Sequence, residues 1–216
     1  MKKQPTKIKV ITLLILFLVA ACLVFVGPIM SNVENPKYEV ISSVENIQIR
    51  RYAPMIVAEV EIEGSREESI RAGFRLLANY IFGDNTRQQK ISMTAPVQQE
   101  VYEKIAMTAP VQQQMVKNTW KISFVMPSNY TMDTLPKPKN SDVKIREVPE
   151  ISFIVIQFSG ANSPENIIEH ENQLIGHIKS NKIDIVGSAK YAFYNPPWTL
   201  PFMRRNEIMF ELNKSK

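Results

Sequence analysis

One pattern of strand, glycine, cap and helix is written twice in this chain, and it constrains the fold more than any other feature. In the first copy Ile56, Ala58, Val60 and Ile62 alternate with Val57, Glu59, Glu61 and Glu63, which predicts a half-buried strand with its acids facing water. Gly64 closes that strand, and Ser65-Arg66-Glu67-Glu68 reads as a capping box that opens a helix. Ile70, Phe74, Leu77, Ala78 and Ile81 form the helix's apolar stripe, and Gly83-Asp84-Asn85 stops it. The second copy follows at an offset of 96 residues. Ile49-Arg50 recurs as Ile145-Arg146, Ala58, Val60 and Ile62 recur as Ile154, Ile156 and Phe158, and Gly64 recurs as Gly160. Ser163-Pro164-Glu165 then places an N-cap before a proline at the first helical position. Ile167, Leu174 and Ile178 mark the apolar side of this second helix, which runs to about Ser180. An internal duplication follows, each half holding two strands, a helix and one or two further strands. Short links and mixed element order predict an α+β fold, an antiparallel sheet with helices outside it.

A shorter repeat lies between the halves. Lys90 to Glu103 reads KISMTAPVQQEVYE and Lys104 to Lys117 reads KIAMTAPVQQQMVK. Two copies are too few for a solenoid. The unit is read as a duplicated strand ended each time by its proline, with a Met-rich pocket-lining extension as the functional alternative. Leu135-Pro136-Lys137-Pro138 is a stiff loop before the second half. Near the C-terminus FYNPPWTLPFMRRNE, residues 193–207, makes a rigid apolar loop that leads into a last strand.

The N-terminus obeys different rules. Val10 to Met30 is an uncharged run of 21 residues. At ~1.5 Å per residue it is long enough to cross a ~30 Å hydrocarbon layer as a helix. Lys2, Lys3, Lys7 and Lys9 precede it, so the positive-inside rule keeps the N-terminus in the cytoplasm and places the rest on the outer face. The expected organisation is a basic tail and transmembrane signal anchor over residues 1–33, then one domain over residues 34–216. A second reading takes Val19-Ala20-Ala21-Cys22 as a lipobox, with Cys22 lipidated. Cys22 is the single cysteine, so the exported domain has no disulfide and no thiol nucleophile. The four leading lysines account for most of the net charge of +5, and nothing in the charge balance points to nucleic acid.

Few catalytic groups are available. His170 and His177 are the two histidines, seven residues apart on the second helix, whereas a zinc pair sits three or four apart. They read as boundary residues of the apolar stripe. No P-loop, no G-x-G-x-x-G, no C-x-x-C-H and no Ser-His-Asp or Cys-His arrangement is present, so the reading is non-catalytic. Arg204-Arg205 follows the apolar stretch Trp198-Thr199-Leu200-Pro201-Phe202-Met203. Apolar walls beside guanidinium groups suit a flat, greasy ligand with carboxylates. A salt-bridged turn before the last strand explains the same residues equally well.

Four motifs, in order, resemble those of the SOUL family. Ala72-Gly73-Phe74-Arg75-Leu76-Leu77-Ala78-Asn79-Tyr80-Ile81-Phe82-Gly83-Asp84-Asn85 looks like its first-helix signature, and Lys104-Ile105-Ala106-Met107-Thr108-Ala109-Pro110-Val111 like its mid-chain motif. Phe124-Val125-Met126-Pro127 followed by Leu135-Pro136 is similar to its central strand and loop. Tyr194-Asn195-Pro196-Pro197 through Arg204-Arg205-Asn206-Glu207 is similar to its C-terminal motif. The doubled KIxMTAPV unit matches bacterial-type members. The resemblance implies two pseudo-symmetric halves forming a distorted eight-stranded barrel-like sheet flanked by two helices. It also implies haem or another porphyrin as a non-covalent ligand, bound in a cleft between the first helix and the C-terminal loop. Carried onto this chain, the cleft comprises Phe74, Leu77, Ala78, Ile81, Trp198, Leu200, Phe202, Met203, Arg204 and Arg205. Neither histidine falls in a matching motif, so no strong axial iron ligand is expected. The rival readings are a binding module for another amphipathic small molecule and a cell-surface structural or interaction protein.

Overall fold

In the computed structural model the described residues are 33–86 and 103–213, together with 11, 12 and 14. Cys22, nearly all of the uncharged segment 10–30 and the first KIxMTAPV copy up to residue 102 lie outside them. Among the described residues no helix is long and apolar enough to cross a membrane.

Alternating apolar and polar residues become strands, as the sequence predicts. In chain order the elements are β1 (Tyr38–Val44), β2 (Ile47–Tyr52), β3 (Met55–Glu63), α1 (Arg66–Phe82), β4 (Asn85–Thr86), β5 (Val111–Val116), β6 (Thr119–Val125), β7 (Lys137–Pro138), β8 (Lys144–Val148), β9 (Ile151–Phe158), α2 (Pro164–Ser180), β10 (Ile185–Phe193) and β11 (Asn206–Leu212). β4 and β7 pair with each other, and the other nine strands form one antiparallel sheet ordered β1-β2-β9-β11-β10-β5-β6-β3-β8.

That order carries the duplication. The corresponding strands are β2 and β8, β3 and β9, β5 and β10, and β6 and β11. Read from β2 to β8 the sheet is therefore the same from either end, with a pseudo-two-fold axis between β5 and β10. The halves are interleaved: β2 of the first pairs with β9 of the second, and β8 of the second pairs with β3 of the first. The register keeps the repeat, with Arg50 opposite Phe153 and Arg146 opposite Val57. The expected eight strands become nine because β1 folds back on β2 at one edge. The residues before β8 instead form the two-residue β7, which leaves the main sheet to pair with β4.

Both helices lie on one face of the sheet. Ser65 caps α1, its Oγ accepting from the Glu68 backbone N–H at 3.4 Å and donating to the Glu68 carboxylate at 2.7 Å. Ser163 caps α2 by accepting from the Asn166 N–H at 3.4 Å, with Pro164 beginning the helix. Gly64 and Gly160 both hold positive φ, 122° and 112°, so the duplicated turn needs glycine in each copy. α2 buries Ile167, Leu174 and Ile178 against β9 and β11, as expected. α1 is rotated from the expected stripe: it buries Ser69, Gly73, Leu77, Tyr80 and Ile81. Phe74 is not a core residue. It is 39% exposed, its ring edge-on to Phe124 at 5.4 Å, because Gly73 rather than Phe74 faces the sheet at the point of closest approach.

The other face of the sheet curls inward. Residues from eight of the nine strands line one small cavity on that side. This enclosure overturns the reading of the β3 acids as a solvated row. Glu59 is buried and paired with Arg146 and Lys121, while Glu61 and Glu63 remain exposed. In the second half the same face holds a buried cluster around Glu207. Its carboxylate accepts from Arg50 at 2.8 Å, from Arg205 at 2.7 and 2.9 Å and from the Tyr194 hydroxyl at 2.8 Å. The second KIxMTAPV copy also differs from expectation. Its Pro110 precedes β5 rather than ending a strand, and residues 103–110 run as irregular chain. Proline suits the entry to a strand because it has no N–H to donate to the ladder.

Candidate functional site

A row of apolar side chains crosses the helix-bearing face. Phe74 of α1 rests on Phe124 of β6, Phe124 lies opposite Val111 of β5, and Val111 lies opposite Phe193 of β10. The loop of residues 194–205 leaves the sheet at the end of that row. Its conformation is held from within: Arg204 donates to the carbonyls of Thr199 (2.7 Å) and Pro197 (2.5 Å). Gly160 N–H donates to the Pro201 carbonyl at 2.9 Å, and Asn195 accepts from the Arg205 N–H at 2.6 Å. A short 3-10 turn, Pro201–Met203, completes the loop. What this framework presents is apolar. Trp198 is 59% exposed, Phe202 73% and Leu200 36%. Large apolar side chains held out on a stapled loop mark an interaction surface more than a defect of packing.

The expected site residues therefore divide. Phe74, Trp198, Leu200 and Phe202 are exposed, and Ala78 and Met203 are partly so. Leu77 and Ile81 are fully buried, packed against β3 and β6 in the core under α1. Arg204 spends its donors on loop carbonyls, and Arg205 sits 3.9 Å over the Tyr194 ring and pairs with Glu207. For Arg205 the salt-bridged turn is the observed arrangement. Burial is the largest single influence and disfavours the charged guanidinium, but the attraction and hydrogen bond of Glu207, with Tyr194 and Tyr38, together raise the pKa. His170 stacks on Phe158 at 4.1 Å with its Nδ1 2.7 Å from the Asn166 carbonyl, a boundary residue as the sequence suggested.

Sequence reasoning missed Arg66. Its guanidinium lies over the rings of Tyr191 (5.1 Å), Trp120 (5.7 Å) and Phe193 (5.8 Å), beside the apolar row. One NH2 group donates to Gln113 at 2.9 Å, yet its Nε is buried and has no hydrogen-bond partner. Desolvation lowers its pKa, with the charges of Tyr191 and Glu171 acting in the opposite sense. A signal was present in the sequence: a cation in the first turn of a helix opposes the macrodipole, so something else must favour it there. Among the described residues no cluster of His, Cys, Asp or Glu could hold a metal ion.

A duplicated α+β half-barrel that presents a braced apolar loop beside a ring-stacked arginine has the make-up of a small-molecule binding domain. The chain belongs to the SOUL heme-binding protein family, whose match covers residues 33–211. Human Heme-binding protein 2 is 31% identical over 163 residues, 74% of this chain and 75% of that protein. Heme-binding protein 1 of Xenopus laevis is 24% identical over 193 residues, 86% of this chain and 95% of that protein. Among solved structures, the C-terminal domain of EcmrR aligns with a TM-score of 0.57 at 10% identity, covering 82% of this chain and 99% of that one. A hydrolase from Listeria innocua aligns at 0.52 and 11% identity, covering 80% and 94%. At such identities these likenesses speak to the fold alone.

Proposed function

We propose that this chain is a membrane-anchored, non-catalytic binding protein for haem or a related tetrapyrrole, which it sequesters or hands on. The observation that carries the reading is the loop of Trp198, Leu200 and Phe202, exposed to solvent and braced by Arg204. Two named relatives are haem-binding proteins, and the family bears the same description. The side chains present fit such a ligand. Phe74, Ala78, Trp198, Leu200 and Phe202 would cover the macrocycle, and Arg66, partly exposed and lying over the Phe193 ring, is a cation suited to a propionate. Leu77 and Ile81 would support this surface from beneath. Haem would bring its own redox-active iron, and no histidine or cysteine stands in this patch to ligate it. The N-terminal lysines and the uncharged run support an anchor over residues 10–30 with the domain on the outer face, Cys22 lipidation being the alternative means of attachment.

Full-length chain in detergent micelles, titrated with haemin and followed by its Soret absorbance, tests the binding. Trp198→Ala and Phe202→Ala should each weaken binding about tenfold, the scale of one large buried apolar contact. Arg66→Met should weaken it with a reduced dependence on salt. The double change His170→Ala, His177→Ala should leave the spectrum and the affinity intact. Loss of the Soret shift in that double variant, with normal binding by the loop variants, would move the site to α2.

A further inference from the structure

The inner face of the sheet carries a feature for which haem on the outer surface has no use. A cavity of about 70 Å³ lies there, lined by Glu59, Gln112, Gln114, Lys121, Arg146 and Lys190, with Ser123 among its remaining polar walls. Two of its three cations are spoken for. Arg146 donates to Glu59 at 3.2 and 3.3 Å, and Lys121 lies 3.4 Å from Glu59 and 3.2 Å from Glu61. Lys190 is different. Its ammonium rests 4.8 Å over the ring of Phe153, and among the described residues no carboxylate comes within ion-pair distance of it and no acceptor bonds it. Burial pushes its pKa down to about 8, with Glu211 and Glu59 pulling it up and Arg146 and Lys121 pushing it further down. Lys190 is half-buried, and an ammonium so placed, without a carboxylate of its own, is suited to receive an anionic group.

Next to this recess is a larger chamber. Its volume is about 610 Å³, and its walls include Ile56, Val125, Met126 and Pro149. Met55 and Val148 line both spaces, so the cationic recess and the chamber, which also carries Glu34, Lys37 and Glu147, share an apolar wall. The chamber is in the size range of small-molecule sites, whereas the recess holds only a few heavy atoms.

We propose that the inner recess and the chamber adjoining it form a second ligand site, taking an amphipathic monocarboxylate whose acid group meets Lys190 and whose apolar tail lies between Met55, Met126 and Val148. The side chains shared by the two spaces set the specificity. A neutral head leaves Lys190 without an ion-pair partner, and a cationic head meets Lys190, the cation of the recess that no carboxylate pairs among the described residues. The site is independent of the haem surface: neither cavity is lined by residues of α1 or of the loop 194–205.

Full-length chain in lipid nanodiscs, titrated by calorimetry with octanoate, 1-octanol and octylamine after subtraction of empty nanodiscs, tests this. Octanoate should bind at one site per chain, and octanol and octylamine at least tenfold more weakly. Lys190→Met should cost octanoate at least tenfold in affinity, and Lys190→Arg should retain part of it. Circular dichroism and haemin binding of both variants should match the unaltered chain, while Phe202→Ala should bind octanoate normally. No saturable octanoate heat, equal affinity in Lys190→Met, or equal affinity for octylamine would each overturn the proposal, and none of them bears on haem binding by the outer loop.

Discussion

Glu207 has no exposed surface, yet it is ionically paired on two sides, with Arg50 at 2.8 Å and Arg205 at 2.7 Å. Such a carboxylate is tolerable because each oxygen accepts a hydrogen bond, the second from Tyr194. The neighbours register its charge. Burial pushes the Tyr52 hydroxyl up to about 12, and the charge of Glu207 adds to that shift. Burial acting alone would depress the Arg50 pKa, but attraction and hydrogen bonding from Glu207 raise it. Removing one partner should thus be worse than removing both. Glu207→Leu leaves Arg50 buried with no counter-charge, and urea denaturation should show a loss of about 3–5 kcal/mol. The double variant Arg50→Met, Glu207→Leu should recover a large part of that loss. Equal losses in the two would mean that the pair's charge is not what holds this cluster.

At the scale of the element, α1 is governed by a glycine. A Cβ on Gly73 would lie 2.9 Å from Ile122 Cγ1 and Cδ1 and 3.0 Å from its Cβ. Glycine inside a helix ordinarily costs about 1 kcal/mol relative to alanine, so Gly73→Ala ought to stabilise an isolated α1. In the folded domain the reverse is expected. Ile122 is β-branched, fully buried and fixed on β6, so its branch cannot turn aside. Thermal or urea unfolding should show Gly73→Ala destabilised by about 1–3 kcal/mol, and Ile122→Val should relieve part of that in the double variant. The same close approach explains why the periodicity of α1 misled. Ile70, Phe74 and Ala78 lie on a plausible stripe, but the helix settles where its smallest residue meets the sheet. Phe74 is thereby turned outward toward the candidate ligand surface. The sequence shows which residues share a side of a helix, and it carries no direct statement of which of them touches a neighbour found far along the chain.

The whole molecule is a two-fold object whose halves exchange strands. β2 has only β1 as a partner within its own half, and β8 has none in the main sheet, because their other neighbours β9 and β3 come from the opposite half. The domain should accordingly unfold as one unit. Trp120 fluorescence and far-ultraviolet circular dichroism should give coincident urea transitions. A chain ending at residue 140 and one beginning at residue 141 should each lack a cooperative transition alone. Independent folding of either fragment would show that the strand exchange is dispensable. The duplication that announces this architecture is local and was legible: the capping serines, the paired glycines at positive φ and the alternating apolar residues are set by neighbours in sequence, through hydrogen bonds and backbone sterics. The exchange of β2 and β8, the ninth strand, the burial of Glu59 and the two cavities were decided only in three dimensions. A strand's alternation distinguishes two faces, but the curl of a sheet assembled from distant segments determines whether the second face meets water or becomes an interior. For that reason the outer loop could be proposed from its residues alone, whereas Lys190 and its recess became visible only once eight strands had closed around them.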